Sequence, residues 1–174
     1  MTVSIPDSVL AEGNVKVVFV PTLASLTLPS AAALNAGIDI SCYLMPDWDG
    51  ATANQNTGES RRFCSRRTFG KLGRVQWTLA PLIYTYLPQL LGTPGSPGNE
   101  VYEALLAGNT GVVGFGYGIE PEEEFVEDDV VDLFPVETGA QSKGARGADE
   151  FAPLTVTQTL AVNGVEALDR VLAA

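Results

Sequence analysis

The sequence contains no histidine. That removes Ser-His-Asp and Cys-His nucleophile–base pairs, and with them the imidazole ligands of most catalytic zinc and non-haem iron sites. Chemistry by a pair of carboxylates is the enzyme class left open. There are only two cysteines, Cys42 and Cys64, too few and too far apart for a zinc motif. In a reducing cytosol they are expected to be buried thiols, acting as small apolar side chains. No apolar run is long enough to span a membrane. The opening MTVSIPDSVLAEG lacks the basic and apolar regions of a secretory signal, so folding in the cytosol is expected. Repeats, long low-complexity segments and dividing linkers are also missing, which makes residues 1–174 one domain.

Positive charge is scarce and confined. The net charge is −11. Residues 1–119 are nearly neutral, with 8 acidic and 7 basic side chains, whereas residues 120–174 hold 13 acidic and 3 basic. Such a surface cannot grip nucleic acid, because phosphate binding needs cations. It can repel it.

What is present reads as β structure. VKVVFV (15–20), IDISCYL (38–44), TGVVGFGYG (110–118), DVVDLFPVE (129–137) and PLTVTQTLAV (153–162) are strand-like runs. The stretch GRVQWTLAPLIYTYLPQ (73–89) begins as a half-buried strand, with Val75, Trp77 and Leu79 alternating with polar neighbours. After Pro81 it becomes apolar on both faces, at Leu82, Ile83, Tyr84, Tyr86 and Leu87, which calls for something to cover the second face. SPGNEVYEALLAG (96–108) is the expected helix, with Ser96 as N-cap, Pro97 at the first position and Gly108 at the C-cap. A short helical turn is expected after Pro29, ended by Gly37. PDWDGATANQNTGES (46–60) is expected to be a long connector loop. VEALDRVLAA, within a C-terminal arm 163–174, fits a short helix or an extended arm.

Four patterns are candidate sites. Gly114, Gly116 and Gly118 are spaced GxGxG, without the helix a dinucleotide loop needs, so they mark a strand approached closely by another backbone or needing a bulge. The acidic run Glu120, Glu122, Glu123, Glu124, Glu127, Asp128 and Asp129 lacks the spacing of a calcium loop. It reads as a solvated turn, or as a surface facing a pore or a basic neighbour. The basic run Arg61, Arg62, Arg66, Arg67, Lys71 and Arg74 has few interleaved aromatics, which favours carboxylate partners over nucleic acid. Thr155, Thr157 and Thr159 form a row of short hydroxyls on one face of their strand, suited to a smooth, wet, close surface.

The order of these features resembles the major tail tube protein of long-tailed, non-contractile bacteriophages. The likeness runs from RRFCSRRTFGKLG through GRVQWTLAPLIYTYLPQ, NEVYEALLAGNTG, GVVGFGYG and VDLFPVETGAQ to FAPLTVTQTLAVNG. It covers about residues 58–164, and more loosely 15–45. The resemblance implies a mainly β fold of the tail-tube type, a β-sandwich with one flanking helix. It also implies hexameric rings whose sheets join into a large β-barrel, rings stacked into a tube, and passage of double-stranded DNA through the lumen. It carries no catalytic residues, cofactor or metal. The implied partners are further copies of the chain, a tape measure protein, a tail terminator and a distal tail protein. The implied location is the virion tail, assembled in the host cytoplasm. On this view Thr155, Thr157 and Thr159 face the lumen, the acidic run faces the lumen or an interface, and the basic run lies between subunits. The inner tube of a contractile tail, a secretion-type ring and a terminator or connector ring are alternatives with related architecture. A carboxylate-based hydrolase is the enzymatic alternative.

Overall fold

A computed structural model describes residues 13–45, 48–64, 66–91, 98–145 and 152–174. Among these residues nine strands form in chain order: β1 (Val15–Val20), β2 (Ile38–Asp39), β3 (Ala51–Arg61), β4 (Thr68–Leu79), β5 (Leu82–Thr85), β6 (Thr110–Tyr117), β7 (Val130–Ala145), β8 (Leu154–Val162) and β9 (Ala167–Val171). Two one-turn helices accompany them, α1 (Ala31–Asn35) and α2 (Glu100–Ala104). Seven strands make one antiparallel sheet in the order β2-β1-β6-β7-β8-β5, with β9 also paired to β7, and the sheet curls into a half-barrel. β3 and β4 pair only with each other, as a long hairpin.

The sheet is apolar on both faces over half its width. In β1, Val17 and Phe19 enter one core while Val18 and Val20 enter a second on the other side. β7 divides likewise, with Phe134 and Val136 in the first core and Val131 and Leu133 in the second. Strands from both ends of the sheet, β2 through Ile38 and β5 through Leu82 and Tyr84, contribute to the first core, so it occupies the concave side. Aromatic rings dominate it. Phe115 stacks on Trp48 at 5.1 Å and meets Phe134 edge-on at 5.6 Å, and Trp77 lies 5.5 Å from Phe134. The second core is closed by α1, the 119–125 segment and the chain end, where Leu172 is buried.

A buried polar network ties α2 to this frame. Tyr84 donates its hydroxyl to Gln158 Oε1 (2.9 Å) and accepts from Gln141 Nε2 (2.9 Å). Gln158 Nε2 donates to the carbonyls of Leu105 (2.6 Å) and Gly139 (2.7 Å). Burial pushes the Tyr84 hydroxyl up to about 12, so it keeps the proton that the network uses. Each of these groups would cost free energy if left unpaired, so the network fixes one arrangement of α2 against β8.

Several expectations from the sequence are corrected. The segment 46–60 is not a loop from Ala51 onward: it is the first strand of the hairpin. The segment 163–174 is not an arm, because β9 pairs with β7 and the Leu172 amide donates to the Asp129 carbonyl. The strand expected over 38–44 stops at Asp39, whose carboxylate accepts from the Ser41 amide and turns the chain into a 3-10 turn at Ser41–Tyr43. The helix expected over 96–108 is one turn, Glu100–Ala104, preceded by Asn99. Ser96 and Pro97 lie outside the described residues. Asn99 is fully buried, and its side-chain amide pairs with both the N–H and the carbonyl of Leu87 instead of capping the helix.

Candidate functional site

The charged and hydroxyl patterns of the sequence sit on three separate surfaces. The hairpin carries the whole basic run. Arg61, Arg62, Arg66, Arg67, Lys71 and Arg74 are all exposed on it. Its strands pair from Ala51–Leu79 at the body to Arg61–Thr68 near the tip, and they are exposed over almost that entire length. Ten residues of strand extend roughly 30 Å. Phe63, Phe69, Leu72 and Val75 are exposed along it. A two-stranded hairpin with so little of it packed on the body is marginal in water and gains stability only when another surface covers it.

The acidic run forms a turn between β6 and β7 that is held firmly despite its charge. Phe125 is buried in the second core, where Gly116 makes room for it: a Cβ there would lie 2.8 Å from the Phe125 ring. At Gly114 and Gly116 the close approach inferred for the glycine-rich strand is therefore made by side chains, not by another backbone. Asn35 of α1 clamps the Phe125 backbone from both sides, donating to its carbonyl and accepting from its amide, each at 2.9 Å. Lys16, buried in β1, donates to the Pro121 carbonyl (2.7 Å) and to Asp39 (3.0 Å). Asp128 takes a left-handed φ of 72°, which aspartate tolerates better than bulkier residues, and Asp129 caps the Val126 amide. Glu120, Glu122, Glu123, Glu124, Glu127 and Asp128 remain exposed, and Asp129 is half-buried. The result is a rigid, solvent-facing anionic surface. Lys16, Asn35 and Phe125 were not singled out from the sequence. A lone lysine inside the apolar run VKVVFV was the available signal.

The threonine row lies on the side of the sheet that the second core only half covers. Cross-strand register places Thr157 between Ser142 and Ile83, and Thr155 between Gly144 and Thr85. Thr157 and Thr159 are exposed; Thr155 is buried, so the expected row of three exposed hydroxyls is corrected to two. Glu137, opposite Ala161, adds an exposed carboxylate on the same face. By strand parity this face also bears Val131 and Leu133, on which the acidic turn's Phe125 packs. Acidic turn and hydroxyl surface thus share one side of the sheet.

Among the described residues, the ion pairs of Arg61 and Lys16 do not join the basic run to the acidic run. Arg61 approaches Glu59 of its own hairpin at 3.8 Å, and Lys16 pairs with Asp39. The exposed Arg61–Glu59 contact contributes little. Cys42 and Cys64 are free and exposed, one at the 3-10 turn and one at the hairpin tip, which corrects the expectation of buried thiols. Among the described residues, no group of three or more Cys, Asp or Glu side chains could hold a metal ion.

Charged surfaces, a protruding hairpin and a bare hydroxyl face, held on a rigid β frame, define a structural subunit built to meet other subunits. The family model for phage tail tube proteins matches residues 2–174, essentially the whole chain, and the chain belongs to that family. It is a structural component of the phage tail, not an enzyme, and it self-assembles into a tube. No curated protein matches the sequence significantly.

Proposed function

We propose that the chain is the tube subunit of a long-tailed, non-contractile phage. Six copies close a ring, rings stack into a hollow tube, and double-stranded DNA passes through the lumen during ejection. The observation that carries this reading is the long hairpin projecting bare from a well-packed body in a tail tube protein. The hairpin is the connector between neighbouring copies, in place of the loop expected over 46–60. Its basic run meets the acidic turn of another copy, a match of two unlike patches that a head-to-tail ring requires. The tape measure, terminator and distal tail proteins are the further partners that the family resemblance implies, and assembly takes place in the host cytoplasm.

The lumen is lined by the half-bare face of the sheet, with Thr157, Thr159, Ser142 and Glu137. Short hydroxyls and carboxylates leave DNA hydrated and offer its phosphates no cation to release counterions against. Replacing Thr157 with Lys adds one phosphate site per subunit around every ring. Tails carrying Thr157→Lys are expected to assemble but to eject DNA more slowly, with the delay relieved by salt. Ejection kinetics identical to wild type at every salt concentration would show that this face does not line the bore.

A further inference from the structure

The hairpin contains one residue too many in β4. Gln55 faces Val75 and Thr57 faces Leu72, so Asn56 alone is opposed by both Gly73 and Arg74. Glycine suits position 73, since a Cβ there would come within 3.1 Å of the Asn56 carbonyl oxygen, a tight contact that the partner strand would have to yield to. Side chains along a strand alternate between faces, so Leu72 and Val75, three residues apart, would fall on opposite faces of a regular ladder. The bulge resets that parity. One face then carries Leu79, Trp77, Val75 and Leu72 in a continuous line, opposed by Ala51, Ala53, Gln55 and Thr57. The other carries Thr78, Gln76, Arg74 and Lys71, opposed by Thr52, Asn54, Asn56 and Gly58. Without the extra residue Arg74 and Lys71 would also be split between faces.

We infer that this one-residue bulge sorts the hairpin from Leu79 to Lys71 into an apolar face and a basic face, with Phe69 and Arg61 changing sides only nearer the tip, and that the apolar face is buried against a second copy of the chain. The inference rests on the self-assembly reading and adds which face is used and what sets it. The apolar line starts inside the subunit: Leu79 is 5% exposed and Trp77 lies against Phe134. It then leaves the body, with Val75 at 48% and Leu72 at 73% exposure. A groove of about 380 Å³ between Val75–Leu79 and Thr159–Val162 flanks its base and offers a seat for incoming side chains. The occupant is identified by charge. The basic side of the hairpin complements the anionic turn at 120–129, which every copy of this chain presents on its own surface.

Two variants of the full chain separate face sorting from the bend that a bulge also introduces. Inserting one threonine after Asn56 gives the two strands equal length, so the distal half, residues 57–72, turns over and Leu72 leaves the line. Deleting Gly73 also removes the bulge, but Leu72 stays opposite Thr57 on the apolar face. Assembly is followed by sedimentation and electron microscopy, and folding of the body by circular dichroism. The insertion is expected to abolish tubes while the body stays folded, and the deletion to retain them. Leu72→Lys is expected to raise the concentration needed for assembly about tenfold or more, and Gln76→Lys, on the other face, to leave it within about threefold. Tubes from the insertion variant, or loss of tubes from the deletion variant as complete as from the insertion, would overturn the inference while the wild type still assembles. A wild-type chain that forms no oligomer would instead overturn the self-assembly reading, and this inference with it.

Discussion

Exchanging Arg62 and Arg66 for glutamate is expected to abolish tube formation, and adding Glu123→Lys and Glu124→Lys in the same chain to restore it in part. Both arginines are exposed on the hairpin, and both glutamates on the anchored turn of the opposite charge. Exposed pairs contribute at most about 1 kcal/mol each, so their removal alone would be tolerated. Reversal does more, because each attraction becomes a repulsion of similar size and the defect recurs at every interface of a polymer. Complementary charge also sets the orientation in which subunits meet and raises their rate of encounter. Assembly of the wild type should therefore slow as salt rises toward a Debye length of about 3 Å near 1 M, while finished tubes persist on their apolar contacts. Light scattering of the wild type, the arginine reversal and the fourfold mutant follows this directly. A fourfold mutant that assembles no better than the arginine reversal would separate the two runs in the assembly and return the acidic turn to the lumen wall or to solvent.

The second large effect is on folding. Phe115→Ala removes a fully buried ring that touches Trp48, Phe134 and Tyr117. Such truncations cost about 3–5 kcal/mol, the transfer of the ring plus the cavity left among groups that cannot collapse into it. A domain of this size is stable by only about 5–15 kcal/mol. The melting temperature should drop by about 10 °C or more. Phe69→Ala, an exposed ring on the hairpin, should change it little, since exposed side chains away from special features contribute within about 0.5 kcal/mol. Both melts belong in an assembly-deficient background, because association stabilises the folded state by mass action. Equal losses from the two substitutions would mean that the hairpin packs on its own body.

The legible parts of the sequence were those with an apolar stripe. β1, β6 and β8 alternate or run apolar because a core lies against them, and each was readable. β3 was not: ATANQNTGESR has no hydrophobic period because beyond Ala51 it is exposed on both faces, and only its pairing with β4 makes it a strand. β9 reads as helical in EALDR, but β7 offers an open edge and pairing overrides the weak local preference. The acidic turn was visible as charge, while its rigidity depends on Lys16 and Asn35, which are 105 and 90 residues from the groups they hold. Thr155 illustrates the limit of alternation. It shares strand parity with Thr157 and Thr159 but is buried, so parity assigns the face and only the structure assigns the exposure.

Electron microscopy of the purified protein, across a range of concentration and with the other tail proteins supplied where needed, tests the central claim most directly. Hollow tubes of stacked rings with an open bore are the expected images. Dispersed monomers under every one of these conditions would contradict the account.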